Sequence, residues 1–318
     1  MTGSFRPSRT DSLWLAGAGL PLILIFYAIH RLGTGQTESF LMLYALAFAC
    51  YFFVIIRFRS VRGGKILVVL LAVAALSRIT LLADAPLLDD DIYRYLWDGK
   101  VSSEGINPYK YPPDHPKLFF LRDKNYYRVR FRQVGTVYPP LSQLCFFLPY
   151  LNGSWNNKLL AFKIIVFLFD LGIIVSLWYM LPRLGIPPGF TLIYAWSPLA
   201  IKEFANSGHL DAVPAFFLLW AVFTLLKKKP EWAAVLLALS FLAKFYAAIL
   251  IPFLYPRLRK KGTAIFLLLI LAAYLPFISA GSGLYSGLLT YFRYWEFNAS
   301  IYALFSWGFQ SGLGARGG

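Results

Sequence analysis

The sequence predicts an all-α, polytopic transmembrane protein. Of its 318 residues, 58% are hydrophobic and only 14% are charged, whereas a soluble domain carries about 25% charged residues. Several apolar runs approach the ~20 residues that a helix needs to cross the hydrocarbon core. The net charge of +16 lies largely in short clusters between these runs, as expected for loops on the cytoplasmic side. We therefore expect a multi-pass protein of the cell membrane, surrounded by lipid, with no nucleic-acid partner.

The chain is expected to form one integral membrane domain over residues 1–318. Two helices occupy residues 1–65, and the basic loop that ends them is placed inside by the positive-inside rule. A core follows over 66–305, and residues 306–318 form a tail. The helix at 66–83 therefore leads to the outer face.

Residues 84–138 form the one long polar stretch of the sequence, and they hold eight of its fifteen acids. Long loops cross the membrane regardless of their charge, so we place this loop outside. Within it, residues 92–104 are predicted to form an amphipathic helix along the membrane interface, with Ile92, Tyr95 and Leu96 toward lipid.

The later apolar runs are predicted helices, and the first of them is short. The 12 residues after Pro139 cover only ~18 Å at 1.5 Å each, too little to span comfortably. The other helices are expected at residues 159–181, 190–201, 212–226, 232–254 and 263–280, followed by a second outer loop at 281–300.

The run at 232–254 presents a charge conflict, because it lies between the basic clusters Lys227 to Lys229 and Arg257 to Lys261. A single crossing would put one cluster outside, whereas a hairpin that turns near Lys244 keeps both inside. We favour the hairpin, since irregular backbone at membrane depth is tolerated where protein or a wet cavity covers it.

The side of the membrane occupied by the polar patch 207–211 depends on the short helix that follows Pro139. If that helix enters the membrane and returns, the patch shares the outer face with Asp89 to Asp91, Lys244 and the Trp295 loop. If it spans, the patch faces the cytoplasm. Both alternatives stay open from the sequence.

Asp89, Asp90 and Asp91 are the strongest candidates for catalysis. One Asp would suffice as a helix N-cap, but three adjacent carboxylates repel one another and cost stability at a bilayer edge. Mutual repulsion raises the pKa of at least one of them, and a general base must stay unprotonated at the working pH. Arg94, one helical turn from Asp90, would keep that acid ionised or hold a phosphate.

The same loop contains two features with alternative interpretations. Trp97 and Asp98 would stack on a sugar ring and bind its hydroxyls, or Trp97 is an anchor at the membrane interface. Carboxylates suit Mg²⁺ or Mn²⁺, but no second acidic motif of fixed spacing accompanies the triplet. We therefore do not favour a metal, and we expect no cofactor.

His209, Asp211 and Lys244 are candidates for substrate binding. His209 and Asp211 precede an apolar helix, for which Asp211 would otherwise be the cap. A Lys at membrane depth is rare, and a lipid phosphate is its natural partner. The alternatives for Lys244 are that it snorkels to the membrane interface or that it forms a structural ion pair, with Asp170 as the candidate acid.

A series of short motifs runs through the core in a recognisable order. Asp90 to Gly99 is followed by Gly105 to Tyr109. Further motifs are Tyr138 to Leu141, Trp196 to Pro198, Ser207 to Asp211, Lys244 and Trp295 to Asn298. The series resembles bacterial GT-C glycosyltransferases, most nearly those that use polyprenyl-phosphate mannose, over about residues 66–305.

The resemblance implies an inverting membrane glycosyltransferase, with its active site facing outside. Its donor would be a sugar, most often mannose, on a polyprenyl phosphate, and its acceptor a saccharide or glycolipid hydroxyl. The family pattern assigns the catalytic base to Asp90 first, Asp91 next and Asp89 last, usually without a metal. The implied phosphate and substrate ligands are Arg94, Tyr95, Trp97, Asp98, His209, Asp211, Lys244 and Trp295. Family members generally continue with more helices, whereas this sequence ends at Gly318, so a fragment and a shorter member both stay open.

The alternative class is a non-catalytic transporter or assembly subunit for lipid-linked sugars. A transporter should show polar residues along broken helices near the membrane midplane, whereas polar groups here collect toward one face. A lipid phosphatase would need clustered Arg and His, and the chain has only three His.

Overall fold

The computed structural model describes residues 9–32, 35–59, 64–151 and 157–294, together with Ala303 and Trp307. All regular structure in these residues is helical, which confirms the all-α fold. The α-helices are α1 Arg9–His30, α2 Thr37–Phe58, α3 Gly64–Leu82, α4 Asp91–Ser103, α5 Pro140–Phe147, α6 Lys158–Arg183, α7 Leu192–Ala195, α8 Pro198–Ala200, α9 Ala212–Leu226, α10 Pro230–Ala243, α11 Ile251–Tyr274 and α12 Gly283–Tyr294.

Among the described residues, four apolar helical segments are long enough to cross a membrane, as expected of a polytopic membrane protein. They are Leu13–His30, Thr37–Phe58, Lys158–Arg183 and Phe245–Ala280. The last segment is not a continuous helix, because Arg259 within it has a non-helical conformation, with a φ of +59° and a ψ of 171°. We therefore treat it as two helical pieces joined at a kink.

The hairpin predicted at Lys244 is present. The backbone of Lys244 is extended and ends α10, and a 3₁₀ helix, Phe245–Leu250, leads into α11. Farther along, Lys261 lies 3.7 Å from Glu231 near the start of α10. The two basic clusters therefore lie at the same end of the molecule, which removes the charge conflict.

The polar patch 207–211 lies at the same end as the Asp cluster. After α6, the chain returns through α7, α8 and a π-helix, Ile201–Asn206. The side chain of Asn206 accepts a hydrogen bond from the Leu87 amide at 2.7 Å and donates one to the Ala85 carbonyl at 3.3 Å. Among the described residues, the patch therefore lies close to Asp89 and Lys244, as the first of the two alternatives requires.

Helix α4 packs against protein, which corrects the prediction that its apolar face meets lipid. Ile92, Tyr95 and Leu96 are all buried, and the Tyr95 ring stacks on Phe146 of α5 with centroids 4.8 Å apart. Helical periodicity identifies an apolar face but not its partner, since lipid and a neighbouring helix demand the same residues. A second correction concerns residues 283–294, which form α12 where a loop was expected.

Gly99 allows α4 to approach α5 closely, and its replacement by Ala is expected to destabilise the protein. A Cβ atom there would lie 2.0 Å from the Phe146 carbonyl oxygen, a backbone atom that cannot turn aside. Overpacking of this kind costs about 1–3 kcal/mol, and more where backbone must move. Thermal unfolding in detergent measures the loss. The matched control is Gly17→Ala in α1, where a Cβ meets nothing within 4 Å. Equal unfolding temperatures for the two variants would contradict the expectation.

A buried polar network joins α3, α6 and α7 in the apolar interior. The Arg78 guanidinium donates to both oxygens of Asp170 and to the Ala195 carbonyl at 2.7 Å, and the Tyr194 hydroxyl donates to Asp170 at 2.7 Å. Both charged side chains have no exposed surface. The structural partner of Asp170 is thus Arg78, and the alternative pairing of Asp170 with Lys244 is wrong.

Candidate active site

A cavity of about 820 Å³ opens beside the N-terminus of α4; we call it the main cavity. It is bounded by the segments before and after α4, by the turn at Lys244 and by α12. Its charged lining consists of Asp89, Asp90, Asp91, Arg94, Arg130 and Lys244. Its apolar lining includes Phe131, Val134, Phe245, Ile249, Leu288 and Phe292. Charged groups of both signs therefore meet an apolar wall in one space.

Asp90 is held by two arginines. Its carboxylate oxygens lie 2.9 Å from Arg128 and 3.2 Å from Arg130, and the Arg128 guanidinium also lies over the Tyr93 ring, 4.1 Å from its centroid. Asp90 is at the N-cap position of α4 but makes no capping hydrogen bond. This carboxylate therefore links the segment that contains Arg128 and Arg130 to the start of α4.

Asp89 belongs to a chain of charges that runs through His209 to Glu203. His209 Nε2 lies 2.7 Å from Asp89 Oδ2, and Nδ1 lies 2.7 Å from Glu203 Oε2. Gly208 directly precedes His209 and has a φ of +69°, a left-handed conformation that favours glycine. This turn of the backbone directs the His209 ring toward the two carboxylates. Burial alone would lower the pKa of His209, but the two carboxylates raise it to about 10, so His209 is an imidazolium at neutral pH.

The same contacts act on Asp89 in the opposite direction. Burial would raise the pKa of Asp89, but the hydrogen bonds from His209 and from the Asp91 amide lower it to about 2. A carboxylate that is stabilised in its ionised form so strongly is a poor proton acceptor. Asp89 is therefore better suited to holding His209 than to acting as a base.

Asp91 is the least constrained carboxylate of the three. Its side chain is 56% exposed, and His209 Nε2 is 3.9 Å away. In the described part of the chain, no side-chain hydrogen bond to its carboxylate is present. Desolvation by the surrounding protein and the adjacent charge of Asp89 raise its pKa above the ordinary value of 3.8. An exposed carboxylate with a raised pKa is suited to accept a proton, so Asp91 is a candidate general base.

The cations of the main cavity are partly neutralised. Arg94 donates to Asp98 and to the Val134 carbonyl, both at 3.0 Å. Its Nη2 is buried and has no hydrogen-bond partner among the described residues. Lys244 contacts both oxygens of Asp211 at 2.7 and 2.8 Å. Asp211 makes no capping hydrogen bond to α9. Its carboxylate therefore forms an ion pair with Lys244 and does not cap the helix.

Three of the predicted site residues lie in the interior behind the main cavity. Trp97 is 4% exposed and packs on Tyr126, with centroids 5.1 Å apart. Asp98 is buried against Arg94 and Gln143, and Tyr95 is buried on Phe146. The structure does not present the Trp97 ring to a sugar or to the membrane interface. Trp295, Glu296 and Asn298 lie outside the described residues.

The family model described as "Alpha-(1->6)-mannopyranosyltransferase, N-terminal domain" matches residues 17–258. The chain belongs to this mannosyltransferase family. Neither a curated protein nor a solved structure matches the chain. The match contains the residues of the main cavity apart from those of α12, and it confirms the resemblance to mannosyltransferases.

Asp89, Asp91 and His209 of this mannosyltransferase offer ligand atoms that lie within 4.8 Å of one another, a spacing that a metal ion could use. Both His209 nitrogens, however, already face carboxylates at 2.7 Å. A metal would have to displace the proton that joins His209 to Asp89, because a ligating imidazole must be neutral. The donor set therefore fits an imidazolium better than a metal, and the absence of a cofactor stays a prediction.

Sequence reasoning missed Glu203, Arg128 and Arg130 as members of the site. Glu203 follows an apolar run and resembles an ordinary polar residue at a helix end. The contacts of Arg128 and Arg130 with Asp90 span 38 and 40 residues. The alternation of bases with aromatic residues between Lys124 and Arg132 is the one sequence signal that could have pointed toward them.

Proposed function

We propose that this mannosyltransferase moves mannose from a polyprenyl phosphate to an acceptor hydroxyl on the outer membrane face, with inversion at the anomeric carbon. The main support is the composition of the main cavity. The cavity brings the exposed carboxylate of Asp91 together with three cations and an apolar wall. A lipid-linked sugar phosphate has the complementary parts: a hydroxylated ring, an anion and a hydrocarbon chain.

In this proposal Asp91 is the general base. Its carboxylate accepts the proton of the acceptor hydroxyl, and the hydroxyl oxygen forms a bond to the anomeric carbon of the donor. The bond from that carbon to the phosphate oxygen breaks, and its electron pair leaves with the polyprenyl phosphate. A single displacement of this kind inverts the anomeric centre.

Arg94, Arg130 and Lys244 are the proposed ligands of the departing phosphate. All three line the main cavity, and charge-assisted hydrogen bonds to phosphate oxygens are stronger than neutral ones. Arg94 retains one donor without a partner among the described residues. Cations that hold the phosphate stabilise the negative charge that develops on it as the bond to the sugar breaks.

The donor lipid is proposed to lie along the apolar wall of the main cavity. Phe245 and Ile249 from the Lys244 turn face the cavity together with Leu288 and Phe292 from α12. Burial of prenyl carbons there contributes about 25 cal/mol per Å² of apolar surface. This wall favours a lipid-linked donor over a nucleotide-linked one, whose base and ribose are polar.

The transporter alternative has less support. Broken helices and a charged pair do occur in the interior, as a transporter requires. However, Arg78 and Asp170 have no exposed surface, and each is satisfied by the other. They are arranged as a structural pair rather than as a substrate path.

The donor class is tested directly with the purified protein. Polyprenyl-phosphate mannose and a nucleotide-linked mannose, each radiolabelled in the sugar, are incubated separately with an α-(1→6)-linked mannose trisaccharide. We expect label to reach the trisaccharide only from the lipid donor, with one polyprenyl phosphate released per sugar transferred. Transfer from the nucleotide donor alone would contradict the proposal. Transport of intact donor across a proteoliposome membrane without any release of phosphate would support the transporter instead.

A further inference from the structure

A second cavity of about 380 Å³ adjoins the main cavity. Its described lining comes from residues beside the end of α1 and the start of α2, from the loop that leads to α4, and from Arg128 and Arg130. Leu88, Asp89, Asp90 and Arg130 line both cavities. Residues Leu88 to Asp90 therefore separate the two cavities, and each cavity can hold a ligand of its own.

The lining of the second cavity differs from that of the main cavity. In addition to the shared wall, it includes Gln36, Thr37 and Arg128, with Phe40 among its apolar residues. Amide, hydroxyl, carboxylate and guanidinium groups together offer both donors and acceptors, which hydroxylated ligands need. The volume is within the ~300–1,000 Å³ of small-molecule sites. This chemistry fits a saccharide better than a lipid chain.

Leu88 forms a ridge between the two cavities. Its φ is +61°, a left-handed conformation that a leucine rarely adopts and that stores backbone strain. Its side chain is 61% exposed although it is apolar. Asp91 lines the main cavity and is absent from the lining of the second. A ligand in the second cavity therefore has to pass Leu88 to reach the proposed base.

We propose that the second cavity is an acceptor subsite that binds the saccharide units behind the sugar that reacts. This inference rests on the proposed function. The donor occupies the main cavity, the acceptor chain lies in the second cavity, and the terminal acceptor sugar crosses Leu88 so that its hydroxyl meets Asp91. A longer acceptor is then bound more tightly than a single sugar, since only the longer one fills the second cavity.

A pair of cavity-filling variants tests the subsite. Thr37→Phe adds bulk in the second cavity at an exposed position in the first turn of α2. Ala248→Phe adds similar bulk in the main cavity. With an α-(1→6)-linked mannose trisaccharide as acceptor, we expect Thr37→Phe to raise the acceptor KM about tenfold or more, equivalent to a loss of about 1.4 kcal/mol in binding. The donor KM should stay within about twofold of wild type, since donor contacts are unchanged.

The single sugar methyl α-mannoside is the internal control, because it does not reach the second cavity. Thr37→Phe should leave its KM unchanged, whereas Ala248→Phe should raise the donor KM with either acceptor. Equal effects of Thr37→Phe on both acceptors, or an effect on the donor KM, would overturn the subsite while leaving the proposed function intact. If wild type transfers nothing from the lipid donor, the proposed function fails, and calorimetric binding of the trisaccharide decides the subsite. Binding that Thr37→Phe abolishes would support it, and no binding to wild type would overturn it.

Discussion

Replacement of Asp91 by Asn is expected to lower kcat for mannosyl transfer by about 10²–10⁴-fold, the usual contribution of a general base. The amide keeps the size and shape of the carboxylate but cannot accept the acceptor's proton. The variant should still fold, because no side-chain hydrogen bond to the Asp91 carboxylate is present among the described residues. Initial rates with saturating donor and acceptor measure the effect. Donor binding should be close to that of wild type, since Asp91 is not a proposed ligand of the phosphate.

Two variants of nearby acids separate catalysis from structure. Asp114→Asn removes an exposed acid of the same loop and should leave the rate unchanged. Asp90→Asn removes the partner of Arg128 and Arg130, so it should loosen the loop and reduce thermal stability. A fully active Asp91→Asn together with an inactive, stable Asp90→Asn would move the base to Asp90, as the family pattern favours.

The pH profile of the wild-type enzyme provides a second check on Asp91. A base must be unprotonated, so activity rises as the pH passes the pKa of Asp91. Because desolvation and Asp89 raise this pKa, the acidic limb of the activity profile should lie above pH 3.8.

The contact between His209 and Asp89 makes stability depend on pH as well. Because the pKa of His209 is raised to about 10, the stabilisation from this contact is fully present below the unfolded pKa of 6.5 and is lost as the pH rises through 10.

Replacement of Arg78 by Met is expected to destabilise the protein by about 3–5 kcal/mol, the typical result of breaking a buried ion pair. Asp170 would be left without a counter-charge in a fully buried position, with the Tyr194 hydroxyl as its remaining hydrogen-bond partner. The contact of the guanidinium with the Ala195 carbonyl would also be lost. Unfolding in detergent micelles, followed by tryptophan fluorescence, measures the change in free energy.

The double variant Arg78→Met/Asp170→Leu is the matched control. Replacing both members of a buried pair by apolar residues is often close to neutral, so the double variant should recover most of the stability lost in the single one. If the double variant is as unstable as Arg78→Met alone, the cost comes from lost packing or from the orphaned Tyr194 and Ala195 groups. That result would contradict the account of the pair given above.

The sequence predicts the helices well where local signals decide them. The predicted helix at 212–226 matches α9, Ala212–Leu226, because this largely apolar run ends at Lys227 to Lys229. The hairpin at Lys244 could be inferred because charge conflicts restrict how a chain crosses a membrane. The face of α4 could not be assigned, since an apolar stripe suits lipid and protein equally.

The partners of the charged groups could be predicted only in part. Lys244 was identified as a candidate because a Lys in an apolar run is unusual, but its partner Asp211 lies 33 residues away. Arg78 and Asp170 are 92 residues apart, and no local pattern connects them. The different roles of the three adjacent acids depend on distant residues, namely Arg128 for Asp90 and His209 for Asp89. Only the fold brings these residues together.

The central claim is that the main cavity binds a lipid-linked mannose with its anomeric carbon facing Asp91. A structure of the inactive Asp91→Asn variant, determined with polyprenyl-phosphate mannose, tests it most directly. The account predicts phosphate oxygens within hydrogen-bond distance of Arg94, Arg130 or Lys244, the prenyl chain along Phe245 and α12, and the sugar beside residue 91. A donor bound elsewhere, with the main cavity filled by water alone, would contradict the account.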